Sequence, residues 1–171
     1  GVVLVYAFRS WFLPAVGFVV SEMLLQQALK KCEVDYRALE EYVRTECCTR
    51  VVGSGGTARA ACYAMTAGRR ARGEKPFSLL VYARDTSKAE ELAKAFGGKA
   101  VADLASVTVD AVVSTIPGAA NFELPPACLK NKPAVLDAAY KPASTALLVQ
   151  AKAAGCPVAQ GASMLVAQGV A

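Results

Sequence analysis

The sequence predicts an α/β fold in which a doubly wound, mostly parallel sheet is flanked by helices. From residue 50 onward, short apolar segments alternate with segments of helical composition. The apolar run F-S-L-L-V-Y-A-R, which starts at Phe77, is typical of a strand buried on both faces of a sheet. With 171 residues, 54% of them apolar and 19% charged, the chain is large enough to bury such a core.

A glycine-rich turn follows the first predicted strand. Val51 and Val52 precede Gly53, Gly55 and Ala58, which match the G-x-G-x-x-[GA] pattern of a Rossmann-like dinucleotide-binding turn. The first glycine permits a tight turn, the second lets backbone N–H groups approach a pyrophosphate, and the small third residue lets the helix pack closely. Because any strand-to-helix turn can carry glycines, an ordinary turn stays open as the alternative.

The remaining elements follow in order. We predict, after the turn, a helix at 56–67, a strand at 77–83, a helix at 86–96, a short strand at 99–101, a strand within 109–117, a strand at 134–139, a helix at 145–154, a strand at 156–159 and a further helix from 163. Ser87 and Glu90 match a capping box at the start of the second helix, and Gly97 and Gly98 end that helix.

The chain before the glycine turn has no such pattern. We predict that residues 1–49 form an N-terminal extension, helical or unassigned, and that 50–171 form the Rossmann-like domain, truncated at its C-terminal helix. The apolar segment 1–20 has the length of a membrane span, but Arg9 and Ser10 lie near its centre and Pro14 interrupts it. We therefore do not expect a membrane protein, although an anchored variant stays open.

The charge pattern argues against a nucleic-acid-binding surface. The formal net charge is +5, and the segment 68–76 (G-R-R-A-R-G-E-K-P) holds four basic residues and one acid, a net +3. A nucleic-acid footprint usually spreads along a face or a helix, whereas this charge is confined to one stretch. We interpret the stretch as a solvated loop between a helix and the next strand, at the sheet edge opposite to the ligand edge.

The six cysteines and the absence of histidine narrow the chemistry. No C-x-x-C motif occurs, and no histidine is present to complete a zinc set, so we expect no metal site. The lack of histidine also excludes Ser-His and Cys-His catalysis. We interpret the cysteines as reduced, mostly buried thiols in a reducing compartment, which predicts the cytoplasm, with a plastid as the alternative.

The exit of the second strand indicates which cofactor is bound. Arg84 and Lys88 follow Ala83, and together they offer a planar fork and a point charge to a ribose 2′-phosphate, which favours NADP. Asp85 lies between them and would repel the phosphate or cap the helix. Ordinary surface charges are the alternative interpretation.

The exit of the fourth strand has a second predicted role in the same cofactor site. There, Thr115, Ile116 and Pro117 would face the nicotinamide half, unless they only begin a loop.

Five segments together resemble the C-terminal NADP-binding domain of shikimate dehydrogenases. They are V-G-S-G-G-T-A-R-A, A-R-D-T-S-K-A-E-E-L-A, V-V-S-T-I-P, D-A-A-Y-K-P-A-S-T-A-L-L and G-A-S-M-L-V-A-Q-G. The sequences S-T-I-P and D-A-A-Y-K-P are most similar to those of the shikimate dehydrogenase region in the multifunctional AROM polypeptides. The resemblance covers residues 50–171.

The resemblance implies the role of each matching position. The residues matched to the pyrophosphate are Gly53, Ser54, Gly55, Gly56 and Thr57. The segment matched to the 2′-phosphate and adenine, where the family has N-R-T-x-x-K, contributes Ala83, Arg84, Asp85, Thr86 and Lys88. Ala83 and Asp85 depart from the family's Asn and Thr. Ala138 and Gly161 match positions near the nicotinamide, and Tyr140 and Gln168 match residues that reach the shikimate ring.

The reaction implied by the resemblance is reversible hydride transfer between NADPH and the carbonyl of 3-dehydroshikimate. In the family a Lys–Asp pair on an N-terminal substrate domain serves as acid and base, in segments like N-V-T-x-P-x-K and N-T-D. Neither segment occurs here, so no catalytic residue is assigned and we expect the chain to need a substrate domain in a parent chain. A non-catalytic NADP-binding module and a quinate dehydrogenase-type oxidoreductase stay open as alternatives.

Overall fold

A computed structural model of the protein describes residues 47–71, 73, 75–162 and 164. Their elements are, in chain order, β1 (Cys48–Val52), α1 (Gly56–Met65), α2 (Ala67–Ala71), β2 (Ser78–Tyr82), α3 (Thr86–Phe96), β3 (Lys99–Ala100), β4 (Ala111–Ser114), β5 (Ala134–Asp137), α4 (Ala146–Ala153) and β6 (Val158–Gln160), with 3₁₀ helices at Gly118–Ala120 and Pro126–Leu129. Residues 1–46, which make up most of the predicted extension, and Gln168 lie outside the described residues. Within the described ranges, no helix combines the length and the hydropathy needed to cross a bilayer.

The six strands form one parallel sheet in the order β3-β2-β1-β4-β5-β6. This order confirms the predicted doubly wound, Rossmann-like fold. The strand order reverses at β1, so a crevice opens between the carboxyl ends of β1 and β4. Sheets of this kind bind ligands at that crevice.

Both faces of the sheet are buried. On one face, Val51 and Val81 pack with apolar residues of α1 and α3. On the other face, Val112 and Val135 pack with Leu147 of α4. This burial on two sides explains why the strands appear in the sequence as continuous apolar runs rather than as an alternation.

The predicted basic loop is partly helical. The first helix ends at Met65, because the Thr66 N–H turns back to the Tyr63 carbonyl (3.1 Å) and the Thr66 hydroxyl donates to the Cys62 carbonyl (2.7 Å). The helix α2 then covers the first part of the segment predicted as a loop. The rest of the segment leads to the amino end of β2, which is the edge away from the ligand crevice.

The helix α3 has the predicted bounds but a different cap. The predicted capping box of Ser87 and Glu90 is wrong, since Asp85 is the N-cap and its carboxylate accepts a hydrogen bond from the Lys88 N–H (3.3 Å). The Ser87 hydroxyl donates to the same carboxylate (2.6 Å). The carboxylate therefore occupies the helix terminus that faces the carboxyl edge of the sheet.

Of the five described cysteines, four are buried and Cys48 is half-buried. Burial raises the pKa of the Cys62 thiol to about 12 and also raises the pKa of the Cys48 and Cys156 thiols. A thiol must lose its proton to become a nucleophile or a metal ligand, so these three groups stay unreactive at neutral pH.

Candidate functional site

A cleft of about 760 Å³ opens at the carboxyl edge of the sheet, beside the reversal of strand order. The loops that follow β1, β2 and β4 form its walls. Its lining residues are Gly53, Ser54, Tyr82, Ala83, Arg84, Asp85, Lys88, Ile116, Pro117, Ala120 and Phe122. Eight of these positions belong to the cofactor site predicted from the sequence.

Backbone hydrogen bonds join the ends of β1, β2 and β4 beside the cleft. The Gly53 N–H donates to the Tyr82 carbonyl (2.8 Å), and the Thr115 N–H donates to the Val52 carbonyl (2.9 Å). Gly53 has a φ of 126°, and a Cβ at this position would overlap the Thr115 hydroxyl, which itself donates to the Val52 carbonyl (2.9 Å). Only glycine therefore fits this turn, and Thr115 lies behind Gly53 rather than in the cleft lining.

The amino end of α1 is open. Gly55 is its N-cap with ordinary extended backbone (φ −81°, ψ −172°), and no side chain caps the helix. A Cβ at Gly55 or Gly56 would meet nothing within 4 Å. The first-turn N–H groups, including that of the half-buried Thr57, thus lack the side-chain acceptor that usually covers a helix terminus. Such a terminus can bind a phosphate through N–H groups and the helix dipole.

The loop after β2 brings two cations and one carboxylate to the cleft. Lys88 Nζ lies 3.6 Å from Asp85 Oδ2, and both side chains are about half exposed or more. Hydrogen bonds from the Ser87 hydroxyl and the Lys88 N–H lower the pKa of Asp85, so its carboxylate is charged at neutral pH. The exposed Arg84 guanidinium makes no hydrogen bond or ion pair within the described part of the chain. Thr86, also predicted for this site, is exposed at the first position of α3.

The loop after β4 supplies an apolar wall. Ile116 and Pro117 line the cleft as predicted neighbours of a nicotinamide, and Ala120 and Phe122 extend the wall. Two residues after Phe122, the backbone N–H and carbonyl of Leu124 both form hydrogen bonds with the side-chain amide of Gln150 in α4. Gln150 Oε1 accepts from the Leu124 N–H (2.9 Å), and Gln150 Nε2 donates to the Leu124 carbonyl (2.7 Å).

The exit of β5 is held by buried polar contacts. Asp137 is 3% exposed, and it accepts hydrogen bonds from the Thr145 hydroxyl (2.6 Å) and the Ala139 N–H (3.1 Å). Burial outweighs these contacts and raises the pKa of Asp137. Ala138 and Gly161 meet here, because a Cβ at Gly161 would overlap the carbonyls of Ala138 and Ala139.

The predicted substrate residues are not brought into the cleft lining. Tyr140 is 54% exposed and lies after β5, on the same edge of the sheet. Ala138 and Gly161 also lie outside the lining, next to this segment. Gln168 lies outside the described residues. The cleft lining therefore includes Gly53 and Ser54 of the predicted pyrophosphate residues, and most of the predicted 2′-phosphate segment, but neither predicted substrate residue. Gly55, Gly56 and Thr57 follow directly at the amino end of α1, outside the lining.

Sequence reasoning missed three lining residues, namely Tyr82, Ala120 and Phe122. Tyr82 was predicted to lie at the exit of the second strand, on the ligand edge, but was given no contact with the cofactor. Ala120 and Phe122 lie in an irregular loop without periodicity, so no pattern in the sequence indicated which of its residues turn toward the cleft.

The sheet order, the glycine turn and the cleft at the reversal of strand order define a Rossmann-like domain of the dinucleotide-binding type. No protein-family model matches the chain. Curated proteins named shikimate dehydrogenase (NADP(+)) are similar to it. The one from Oleidesulfovibrio alaskensis is 39% identical over 129 residues, which are 70% of this chain and 44% of that protein. The one from Methanocella arvoryzae is 34% identical over 131 residues, 70% of this chain and 46% of that protein.

Solved structures agree with this similarity. Shikimate 5-dehydrogenase from Thermus thermophilus, in complex with NADP(H) and shikimate, has a TM-score of 0.60 and 30% identity over 71% of this chain and 45% of its own. The dehydroquinate dehydratase and shikimate dehydrogenase of S. pombe AroM has a TM-score of 0.59 and 29% identity over 74% of this chain and 26% of its own. Quinate dehydrogenase from Corynebacterium glutamicum, in complex with NAD, has a TM-score of 0.60 and 25% identity over 94% of this chain and 54% of its own.

The predicted resemblance to shikimate dehydrogenases is thus confirmed over about 70% of the chain. The chain spans less than half the length of these two curated relatives. The names of the relatives also agree with the predicted cofactor, since they specify NADP(+).

Proposed function

We propose that this chain is the cofactor-binding half of a shikimate dehydrogenase and that its cleft binds NADP. The observation that carries the proposal is the amino end of α1, which has no side-chain cap and has open space at Gly55 and Gly56, directly after Gly53 and Ser54 of the cleft lining. The relatives named shikimate dehydrogenase (NADP(+)) support the choice of family and of cofactor. The neighbour from S. pombe AroM supports a multifunctional parent chain of the AROM type.

Different residues of the chain bind different parts of the cofactor. The first-turn N–H groups of α1 bind the pyrophosphate, and Arg84 and Lys88 attract the 2′-phosphate of the adenosine half. Ile116, Pro117 and Phe122 cover the nicotinamide half and exclude water from one side of it. No catalytic role falls to these residues, because none of them is an acid or base placed beside the apolar wall.

When bound, NADPH supplies the hydride that reduces the carbonyl carbon of 3-dehydroshikimate. The carbonyl oxygen must receive a proton in the same reaction, which gives shikimate and NADP⁺. We propose that this proton comes from an acid on a substrate domain of the parent chain, and that Tyr140 and Gln168 reach the substrate from this half. Quinate is the second candidate substrate, favoured by the likeness to the quinate dehydrogenase of Corynebacterium glutamicum.

The substitution Gly55→Val tests the cofactor site without disturbing the turn. Gly55 has backbone angles that any residue adopts and open space around its Cβ, so the variant should fold. A valine side chain would fill the space that a pyrophosphate needs. We expect the NADPH dissociation constant, measured by calorimetry, to rise roughly tenfold or more, as for the loss of charged hydrogen bonds.

The control for this test is Ala95→Val, which adds bulk at an exposed position in the last turn of α3, away from the cleft. It should leave NADPH binding unchanged. Equal affinity of wild type and Gly55→Val would overturn the assignment of the glycine turn as the phosphate site. Absence of NADPH binding to the wild-type chain would overturn the proposed function itself.

A further inference from the structure

One anionic side chain occupies the part of the cleft where the proposed function puts the 2′-phosphate. The Asp85 carboxylate accepts hydrogen bonds from the Ser87 hydroxyl (2.6 Å) and the Lys88 N–H (3.3 Å), at the amino end of α3. Its second oxygen lies 3.6 Å from Lys88 Nζ. The carboxylate thus already uses the N–H donor, the helix dipole and the ammonium group that would attract a phosphate.

The other charged residues nearby do not remove the competition between the Asp85 carboxylate and a 2′-phosphate. Arg59 forms an ion pair with Glu91 (3.5 Å) and lies over the Phe96 ring at 6.0 Å, so it is engaged outside the cleft lining. The cations that line the cleft are Arg84 and Lys88, and Asp85 is the acid that lines it with them. A 2′-phosphate therefore meets two cations and one carboxylate, and like charges within a few ångströms repel.

An unphosphorylated ribose meets the opposite situation. Its 2′-hydroxyl can donate a hydrogen bond to a carboxylate, which is how an acid at the exit of this strand usually holds NAD. Asp85 lies two residues after Ala83, the first residue beyond β2, and lines the same cleft. The carboxylate is exposed enough to receive a ligand, since about half of the side chain is accessible.

We propose that Asp85 is a specificity-determining residue, which weakens the preference for a 2′-phosphate and lets the cleft accept an unphosphorylated dinucleotide beside NADP. This inference rests on the proposed function, in that the cleft must bind a dinucleotide. It assigns Asp85 a role toward the cofactor in addition to its role as the cap of α3.

The substitution Asp85→Asn separates these two roles. Asparagine caps a helix about as well as aspartate but carries no charge, so α3 keeps its N-cap while the repulsion disappears. We expect the ratio of NADPH to NADH affinity, from calorimetric titrations, to rise about tenfold, with most of the change in NADPH. The fragments 2′,5′-ADP and 5′-AMP should show the same change in ratio, because they differ by the 2′-phosphate.

The matched control is Glu90→Gln, which removes the same charge from an exposed position of α3 outside the cleft lining. It should leave the ratio unchanged. Should Asp85→Asn fail to fold, Asp85→Ser keeps a capping hydroxyl and carries the same expectation.

The outcomes distinguish the two proposals. Binding of dinucleotides by the wild type, with an unchanged ratio in the Asp85 variant or an equal change in the Glu90 variant, would overturn the inference alone. Absence of NADPH and NADH binding to the wild type would overturn the proposed function and the inference together.

Discussion

Arg50 is the largest fully buried side chain in the described part of the protein, and it carries a charge. It lies in β1 on the face that packs against α4. Its guanidinium contacts the Val107 carbonyl and Cys128 Sγ (3.6 Å), while its Nε, within the described residues, has no hydrogen-bond partner. A buried cation that meets neutral groups loses more by desolvation than it regains from such contacts.

We expect Arg50→Met to stabilise the protein. Methionine fills a similar elongated volume without a charge, and Val107, whose carbonyl loses the donor, is itself an exposed residue. The free energy of unfolding, from urea denaturation, should rise by about 1–3 kcal/mol, the cost of a buried polar group that lacks a partner. The exposed control Arg70→Met should change it by less than about 0.5 kcal/mol. A less stable Arg50 variant would mean that the contact with Val107 outweighs the desolvation.

Gly53 and Gly55 also differ in the reason why each position needs a glycine. The sequence pattern assigned Gly53 to the tight turn and Gly55 to the close approach of a pyrophosphate. In the structure, Gly53 is required by the fold itself, because its φ and the Thr115 hydroxyl leave no room for a Cβ. Gly55 is free of both constraints. A pattern can indicate that glycine is needed, but the packing behind the turn decides whether the chain or a ligand needs it.

At the scale of elements, the apolar wall of the cleft depends on a contact from α4. The Gln150 side chain bonds both backbone groups of Leu124, as a neighbouring strand would, and so fixes the loop that carries Phe122. Leu124 is itself buried, so unsatisfied backbone groups there would be costly. Gln150 is thus a positioning residue for the cleft, although it does not line it.

We expect Gln150→Leu to lower the free energy of unfolding by about 1–3 kcal/mol and to weaken NADPH and NADH binding by the same factor. The loss should be equal because the loop covers the half of the cofactor that the two dinucleotides share. Gln150→Glu keeps the acceptor for the Leu124 N–H but puts a second acceptor against the Leu124 carbonyl, so it should weaken the binding of both dinucleotides as well. Unchanged cofactor affinity in a destabilised Gln150→Leu variant would show that the contact does not shape the cleft.

An element could be predicted where local sequence determines its bounds, and could not be predicted where tertiary contacts determine its shape. The bounds of α3 could be predicted because its helical composition begins and ends sharply at Thr86 and Gly97. The capping box of Ser87 and Glu90 was mispredicted, whereas the interpretation of Asp85 as a cap is confirmed. Asp85, Ser87 and Glu90 all suit a cap, and only the backbone angles select among them. The loop between β4 and β5 could not be predicted, since its shape depends on tertiary contacts such as that of Gln150.

At the scale of the whole molecule, the doubly wound parallel sheet could be predicted because alternating apolar runs and helices permit few parallel topologies. The cofactor cleft was predictable for the same reason, since the carboxyl ends of β1, β2 and β4 must meet at one edge. On the substrate side, the roles of Tyr140 and Gln168 stay predictions. Tyr140 is 54% exposed at that edge, and Gln168 lies outside the described residues.

The division of function proposed above predicts the behaviour of the whole chain. We expect it to bind NADPH but to show no shikimate-dependent reduction of NADP⁺, measured by absorbance at the NADPH band. Fusion to the substrate domain of the Thermus thermophilus enzyme should restore turnover, because that domain would supply the acid and base. Turnover by the unfused chain would contradict this division and would direct attention to residues 1–46.

The hydrogen bonds at the strand ends beside the cleft have a consequence for evolution. They join backbone groups across neighbouring strands, from Gly53 to Tyr82 and from Thr115 to Val52. Point mutations replace side chains but leave these bonds in place, provided that Gly53 is kept. Related chains can therefore differ at cleft-lining side chains such as Arg84, Asp85 and Lys88, and so in the cofactor they prefer, while every intermediate sequence still folds.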